Sequence, residues 1–156
     1  MIKDSGERTE FESGAVRDYK SGVGRCDLLP LDIIPLIYHD THGLFCALAA
    51  LREENDDGAL LDTIISFSRA AFGSTETALM EVSIHFEEGA QKYAERNWEK
   101  GIPVHSFVSS GIRHYLKYMR GDDDERHDRA FLWNMMCLLW TLKNHPELDD
   151  FTQKNE

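Results

Sequence analysis

"GDDDERHDRAFLWNMMCLLWTL", residues 121–142, holds the most informative pattern in the chain. Stepped at about 100° per residue, Phe131, Leu132, Trp133, Met135, Met136, Leu138, Leu139, Trp140 and Leu142 wrap nearly the whole circumference of a helix. A helix this apolar is central to a bundle or buried in a subunit interface. Asp122, Asp123 and Asp124 place negative charge where the helix dipole is positive, so the helix is predicted over residues 124–143. His127, Asn134 and Thr141 form its polar seam, and Asp128 falls beside Met135 and Leu139 in the apolar part. Glu125 and Asp128 are three residues apart, as are Asp124 and His127, so each pair can reach one metal from the first turn.

The two segments before it are also helical. Residues 104–120 carry Phe107, Val108, Ile112, Tyr115, Leu116, Tyr118 and Met119 on one face, and Ser110, Arg113, His114 and Lys117 on the other. Gly73, Ser74 and Thr75 open a helix that runs to about Lys100 and is closed by Gly101 and Pro103. Leu79, Val82, Phe86, Ala90 and Tyr93 make its apolar stripe, flanked by Met80 and Ile84, while Glu81, Glu88, Lys92 and Glu95 face the other way. Glu87 lies between stripe and flank, so it is expected to be partly buried. A carboxylate there costs several kcal/mol unless a cation, a metal or a proton compensates.

Toward the N-terminus the signals weaken. Residues 41–55 and 59–72 read as two short helices split by Asp56, Asp57 and Gly58, and residues 31–38 as one helix broken by Pro35. Residues 14–30 read as a loop carrying Arg17, Asp18, Lys20, Arg25 and Asp27. No strand-like alternation or repeat is evident. The fold class is therefore all-α, with a flexible N-terminal tail (1–13), one helical domain (14–145) and a C-terminal tail (146–156).

Bulk properties narrow the function. With 28 acidic residues against 17 Lys plus Arg, the net charge of −11 disfavours nucleic acid and anionic membranes as partners. No apolar run reaches the roughly 20 residues of a membrane span, and the charged N-terminus lacks a secretory h-region. Three cysteines, none in a CxxC, fit a reduced cytoplasmic setting and argue against a thiolate zinc site. An anionic ligand then needs concentrated cations and charge-neutralising metals. The strip Arg113, His114 and Lys117 supplies the cations, and acids on two helices supply oxygen ligands for Mg²⁺. Each feature has a plainer explanation as well. The DDDE run suits a solvated helix start, the basic strip a solvated face, Trp98, Tyr93 and His127 a core, and Glu87 an arginine pair.

The order of three pieces points further: "GVGRCDLLP" (22–30), "EEGAQKYAERNWEKGIP" (87–103) and "SGIRHYLKYMRGDDDERHDRAFLWNMMCLLWT" (110–141). Together they resemble the phage dATP/dGTP diphosphohydrolases, a MazG-like branch of the all-α nucleoside triphosphate pyrophosphohydrolases. The resemblance spans about residues 14–142 and is weakest over 39–72. It implies a helical bundle, homodimeric or homotetrameric, that cleaves dATP and dGTP between the α and β phosphates. The products would be the monophosphate and pyrophosphate, shaping a phage nucleotide pool for 2-aminoadenine DNA in the host cytoplasm. It implies Mg²⁺ as cofactor, with Mn²⁺ or Co²⁺ able to substitute. Glu87, Glu88, Glu125 and Asp128 would be the catalytic metal carboxylates, with Asp124 and His127 as further ligands. Arg25, Asp27, Lys92, Tyr93, Asn97, Trp98, Arg113, His114 and Lys117 would bind the nucleotide.

Two departures stand out. His85 and Glu88 occupy the spacing where the family's first ExxE lies, and the interval from Glu88 to Glu125 is longer than in ordinary MazG proteins. These departures keep open a catalytically silent nucleotide-binding protein. A purely structural helical oligomer is the remaining alternative.

Overall fold

In a computed structural model that describes Asp4 and residues 6–153, the chain is mostly helical. Strands β1 (Arg8–Glu10) and β2 (Val16–Asp18) form an antiparallel hairpin with Thr9 opposite Arg17. Six helices follow: α1 (Ile34–Ile37), α2 (Leu44–Glu54), α3 (Gly58–Phe72), α4 (Thr75–Lys92), α5 (Val104–Arg120) and α6 (His127–Asn144). Single 3-10 turns sit at Cys26–Leu28, Asn97–Lys100 and Pro146–Leu148. Among the described residues, no helix is long and apolar enough to cross a membrane.

The core forms where α5 and α6 pack together, with α3 and α4 against α6 and α2 against α3. Phe67, Val108, Ile112, Tyr115, Phe131, Met135 and Leu138 are buried there. Phe67 meets Phe131 edge-on at 4.6 Å. Trp133, Met136, Leu139 and Leu142 are half-buried against the same cluster, so much of the apolar circumference of α6 is covered within one chain. Its polar seam is buried too, since His127, Asn134 and Thr141 are at most 2% exposed. Thr141 Oγ1 and Asn134 Nδ2 donate to the carbonyls of Cys137 and Ala130, at 2.7 and 2.8 Å.

Four expectations change. Arg8–Glu10, placed in a tail, is a strand, because Gly14 at φ 87° lets the chain fold back so that Phe11 N–H donates to Ala15 O at 2.9 Å. Residues 1–3 and 5 of that tail lie outside the described residues. The C-terminal segment from Pro146 docks rather than trailing: Phe151 is buried, and Gln153 N–H donates to Arg52 O at 2.6 Å. Residues 154–156 lie outside the description.

Helix α4 stops at Lys92, eight residues short of Lys100. Ala94 and Arg96 take positive φ, 155° and 56°, which turns the chain. Asn97 then pairs by its amide with both backbone groups of Val16, at 2.9 and 2.7 Å. The Tyr93 hydroxyl accepts from Asp18 N–H at 3.2 Å and donates to its carboxylate at 3.0 Å. Such bonds contribute about 1 kcal/mol each, more than the few tenths per residue gained by extending the helix. The hairpin decides the helix end.

The fourth change concerns Glu87, which is exposed. Leu79 and Met80, used to orient the wheel, are 59% and 75% exposed, while Ala78 and Val82 are buried. The core direction is therefore rotated, and Glu87 lies roughly opposite it. It needs no buried compensation.

Candidate active site

A cleft of about 380 Å³ lies between β2, α4, the turn after it, α5 and α6, within the usual size range of small-molecule sites. Its polar parts come from separate elements: Arg17 and Lys20 at the hairpin, His85 and Glu88 on α4, Arg113, His114 and Lys117 on α5, Glu125 before α6, and Asn134 on α6. Phe86, Tyr93, Trp98 and Trp133 supply aromatic wall.

Arg17 is the cation most deeply set. Its guanidinium carbon lies 5.2 Å from the Phe107 ring centre and 5.6 Å from that of Trp133. Nη2 donates to Ser110 Oγ at 3.3 Å and Asn134 Oδ1 at 3.2 Å, while Nη1 is buried without a partner. Burial pushes its pKa down, but an arginine remains charged. Arg113 is held by Gly24 O at 2.9 Å and Ser109 Oγ at 3.3 Å, and its Nε is likewise buried and unpartnered. Among the described residues, none of Arg17, Lys20, Arg113 and Lys117 has a carboxylate within ion-pair distance. In a chain of net charge −11, that is a cationic wall prepared for an anion. Each buried, unpaired N–H costs about 1–3 kcal/mol, which a phosphate oxygen would recover.

Beside Arg113 on α5, His114 Nδ1 lies 2.9 Å from His127 Nδ1, and His127 Nε2 is 2.7 Å from Asp124 Oδ1. One ligand atom each from His114, Glu125 and His127 falls within 4.8 Å of the others. Burial first, and then the neighbouring His127, pushes the His114 pKa down to about 2, so it is a neutral imidazole.

Of the expected site residues, Glu88, Tyr93, Asn97, Trp98, Arg113, His114, Lys117 and Glu125 line this cleft. His127 and Asp124 stand behind them. Four others do different work. Lys92 holds buried Asp18 at 2.7 Å, and Arg25 and Asp27 pair at 2.7 Å in a separate pocket. Asp128 is gripped by Arg126 at 3.0 and 3.1 Å and accepts from Arg129 N–H at 2.8 Å. Glu87 does not line the cleft. The separation of Glu125 from Asp128 has a simple cause: α6 starts at His127, so Glu125 sits on a turn, off the helical face that the three-residue spacing assumed.

Arg17, Lys20 and His85 were not singled out as site residues from sequence. His85 is signalled by its place three residues before Glu88, while the signal for Arg17 is indirect: a polar seam on α6 and Ser110 on α5 require polar partners from another element. Asn134 and Ser110 find theirs in Arg17.

The family description "dATP/dGTP diphosphohydrolase, N-terminal" matches residues 69–151, just over half of the chain. The chain belongs to the dATP/dGTP diphosphohydrolase family. The matched segment contains α4, α5 and α6, and so both acids and the histidine cluster of the cleft. Arg17 and Lys20 lie outside it. Among curated proteins and among solved structures, none matches the chain.

His85 bears on the stability of this diphosphohydrolase-family fold. Burial first, and then Arg129, lowers its pKa from 6.5 to about 4. Between those values the unfolded chain takes up a proton that the folded chain refuses. Its contribution is complete above about pH 6.5 and is lost as pH falls toward 4, at up to about 1.4 kcal/mol per pH unit. Urea melts from pH 7 to 4 are expected to show a shallower acid decline in His85→Gln than in wild type. Equal slopes would remove His85 from the account.

Proposed function

We propose that the protein hydrolyses dATP and dGTP to the deoxynucleoside monophosphate and pyrophosphate in this cleft. The observation that carries the reading is the set of four cations without ion-pair partners among the described residues, facing Glu88 and Glu125. Family membership supports the same chemistry.

Arg17, Lys20, Arg113 and Lys117 bind and orient the triphosphate, with the guanidinium groups matched to pairs of phosphate oxygens. Trp98, Phe86 and Tyr93 offer the base an apolar wall, and desolvation by that wall strengthens each charge contact. Water attacks the α-phosphorus, the bond from phosphorus to the α–β bridging oxygen breaks, and pyrophosphate leaves. The water proton passes to an acceptor on the α4 wall, where Glu88 and neutral His85 both face the cleft. Cations around the phosphates stabilise the charge that develops on the departing oxygens.

The donor set suits a divalent cation, because ligand atoms of His114, Glu125 and His127 lie within 4.8 Å of one another and Glu88 lines the same cleft. Glu88 and Glu125 would offer oxygen ligands to Mg²⁺, Mn²⁺ or Co²⁺. When bound, the ion supplies charge neutralisation and Lewis-acid polarisation of the phosphoryl group.

The test is a product assay across the four deoxynucleoside triphosphates with each metal, paired with thermal shift. Pyrophosphate release from dATP and dGTP is expected. Stabilisation by nucleotide without product would establish a silent binder instead, and no response in either assay would leave a structural role.

A further inference from the structure

We infer that His114, Glu125 and His127 form a site for one divalent cation of borderline softness, of the Co²⁺ or Zn²⁺ class, in preference to Mg²⁺. The inference deepens the hydrolase reading, on which it rests only for the ion's substrate-facing role.

The geometry is that of two ligands on one ion. Two nitrogens each about 2.1 Å from a metal, at right angles, stand about 3.0 Å apart. The two Nδ1 atoms are 2.9 Å apart. One ligand atom each from His114, His127 and Glu125 lies within 4.8 Å of the others, so a single ion can reach all three.

The protons are arranged accordingly. Asp124 Oδ1, at 2.7 Å, assigns the ring proton of His127 to Nε2 and leaves Nδ1 with a free lone pair. A carboxylate behind a ligating imidazole is the usual way a metal-binding tautomer is fixed. His127 is 1% exposed and His114 is half-buried, so neither ring can swing freely away.

The donor chemistry then selects the ion. Mg²⁺ prefers six oxygens in a near-ideal octahedron, while imidazole suits softer ions such as Co²⁺ and Zn²⁺. Lys117 and Arg113 line the same cleft as His114 and Glu125. An anionic ligand held by those cations would meet the ion there.

The rival explanation is an ordinary hydrogen bond, with His114 Nδ1–H donating to His127. It requires no metal and predicts different binding data. Metal-stripped protein, without nucleotide, should be titrated with Co²⁺ and followed by visible absorption and calorimetry, with Mg²⁺ as comparison. One Co²⁺ per chain is expected, bound at least tenfold more tightly than Mg²⁺. Asp124→Asn, at an exposed position, should weaken Co²⁺ binding by about 10–100-fold, and His114→Asn by at least as much, with melting curves confirming that both fold. Stoichiometric Co²⁺ binding unchanged by both substitutions, Mg²⁺ binding equal to that of Co²⁺, or no binding at all would overturn the assignment. Pyrophosphate release is measured separately. Co²⁺ binding without hydrolysis would sink the proposed function and leave this site standing, and the reverse result would do the opposite.

Discussion

Glu125→Gln is expected to reduce pyrophosphate release by at least about 10²–10³-fold, a loss of roughly 3–4 kcal/mol of transition-state stabilisation. The substitution keeps the shape of the side chain and removes its charge. Glu125 sits on the turn before α6, half-buried and outside the hydrophobic core, so the melting temperature should change by no more than an ordinary surface substitution allows, within about 0.5 kcal/mol. It is also the one carboxylate common to the phosphate cleft and the histidine cluster. Steady-state kinetics with dATP and dGTP at saturating metal checks the prediction. Wild-type turnover in this variant would remove Glu125 from the chemistry.

Arg17→Met should separate binding from stability. Losing charge-assisted hydrogen bonds to a phosphate, each of about 1.5–3 kcal/mol, weakens nucleotide binding by roughly 10–100-fold. Methionine can still fill the slot between Phe107 and Trp133, and it removes both a buried charge and the unpartnered Nη1. It also leaves buried Asn134 Oδ1 and Ser110 Oγ without that donor, a cost of about 1–3 kcal/mol that offsets the relief of the buried charge. The melting temperature without ligand should therefore change little while nucleotide affinity falls. A purely structural arginine would give the opposite pair: a lower melting temperature and unchanged affinity in calorimetric titrations.

Both residues show how far the chain could be read in advance. The α5 and α6 segments were evident because each carries a strong local pattern and a local stop, Gly121 between them. The basic strip on α5 and the acids before α6 were visible for the same reason. Glu87 was misplaced because exposed Leu79 and Met80 are as apolar as a core pair, and a helical wheel cannot tell an outward leucine from an inward one. Asp128 does not share a helical face with Glu125, because α6 begins at His127, three residues later than the acidic run suggests. Arg17 was passed over because a three-residue strand has too few positions to show alternation.

The order of residues along the chain was enough to establish an all-α fold class and the two segments that carry the acids and histidines, because helix periodicity and capping are local; the family showed in the resemblance of the ordered motifs and in the family match. Tertiary packing alone decided which acids enter the cleft, where α4 ends and which arginine lies at the floor. Those choices depend on the direction in which each helix docks and on bonds from the hairpin to residues some 80 positions away. A local pattern carries neither, since burial and pairing are properties of the neighbours a side chain acquires only when the chain closes on itself.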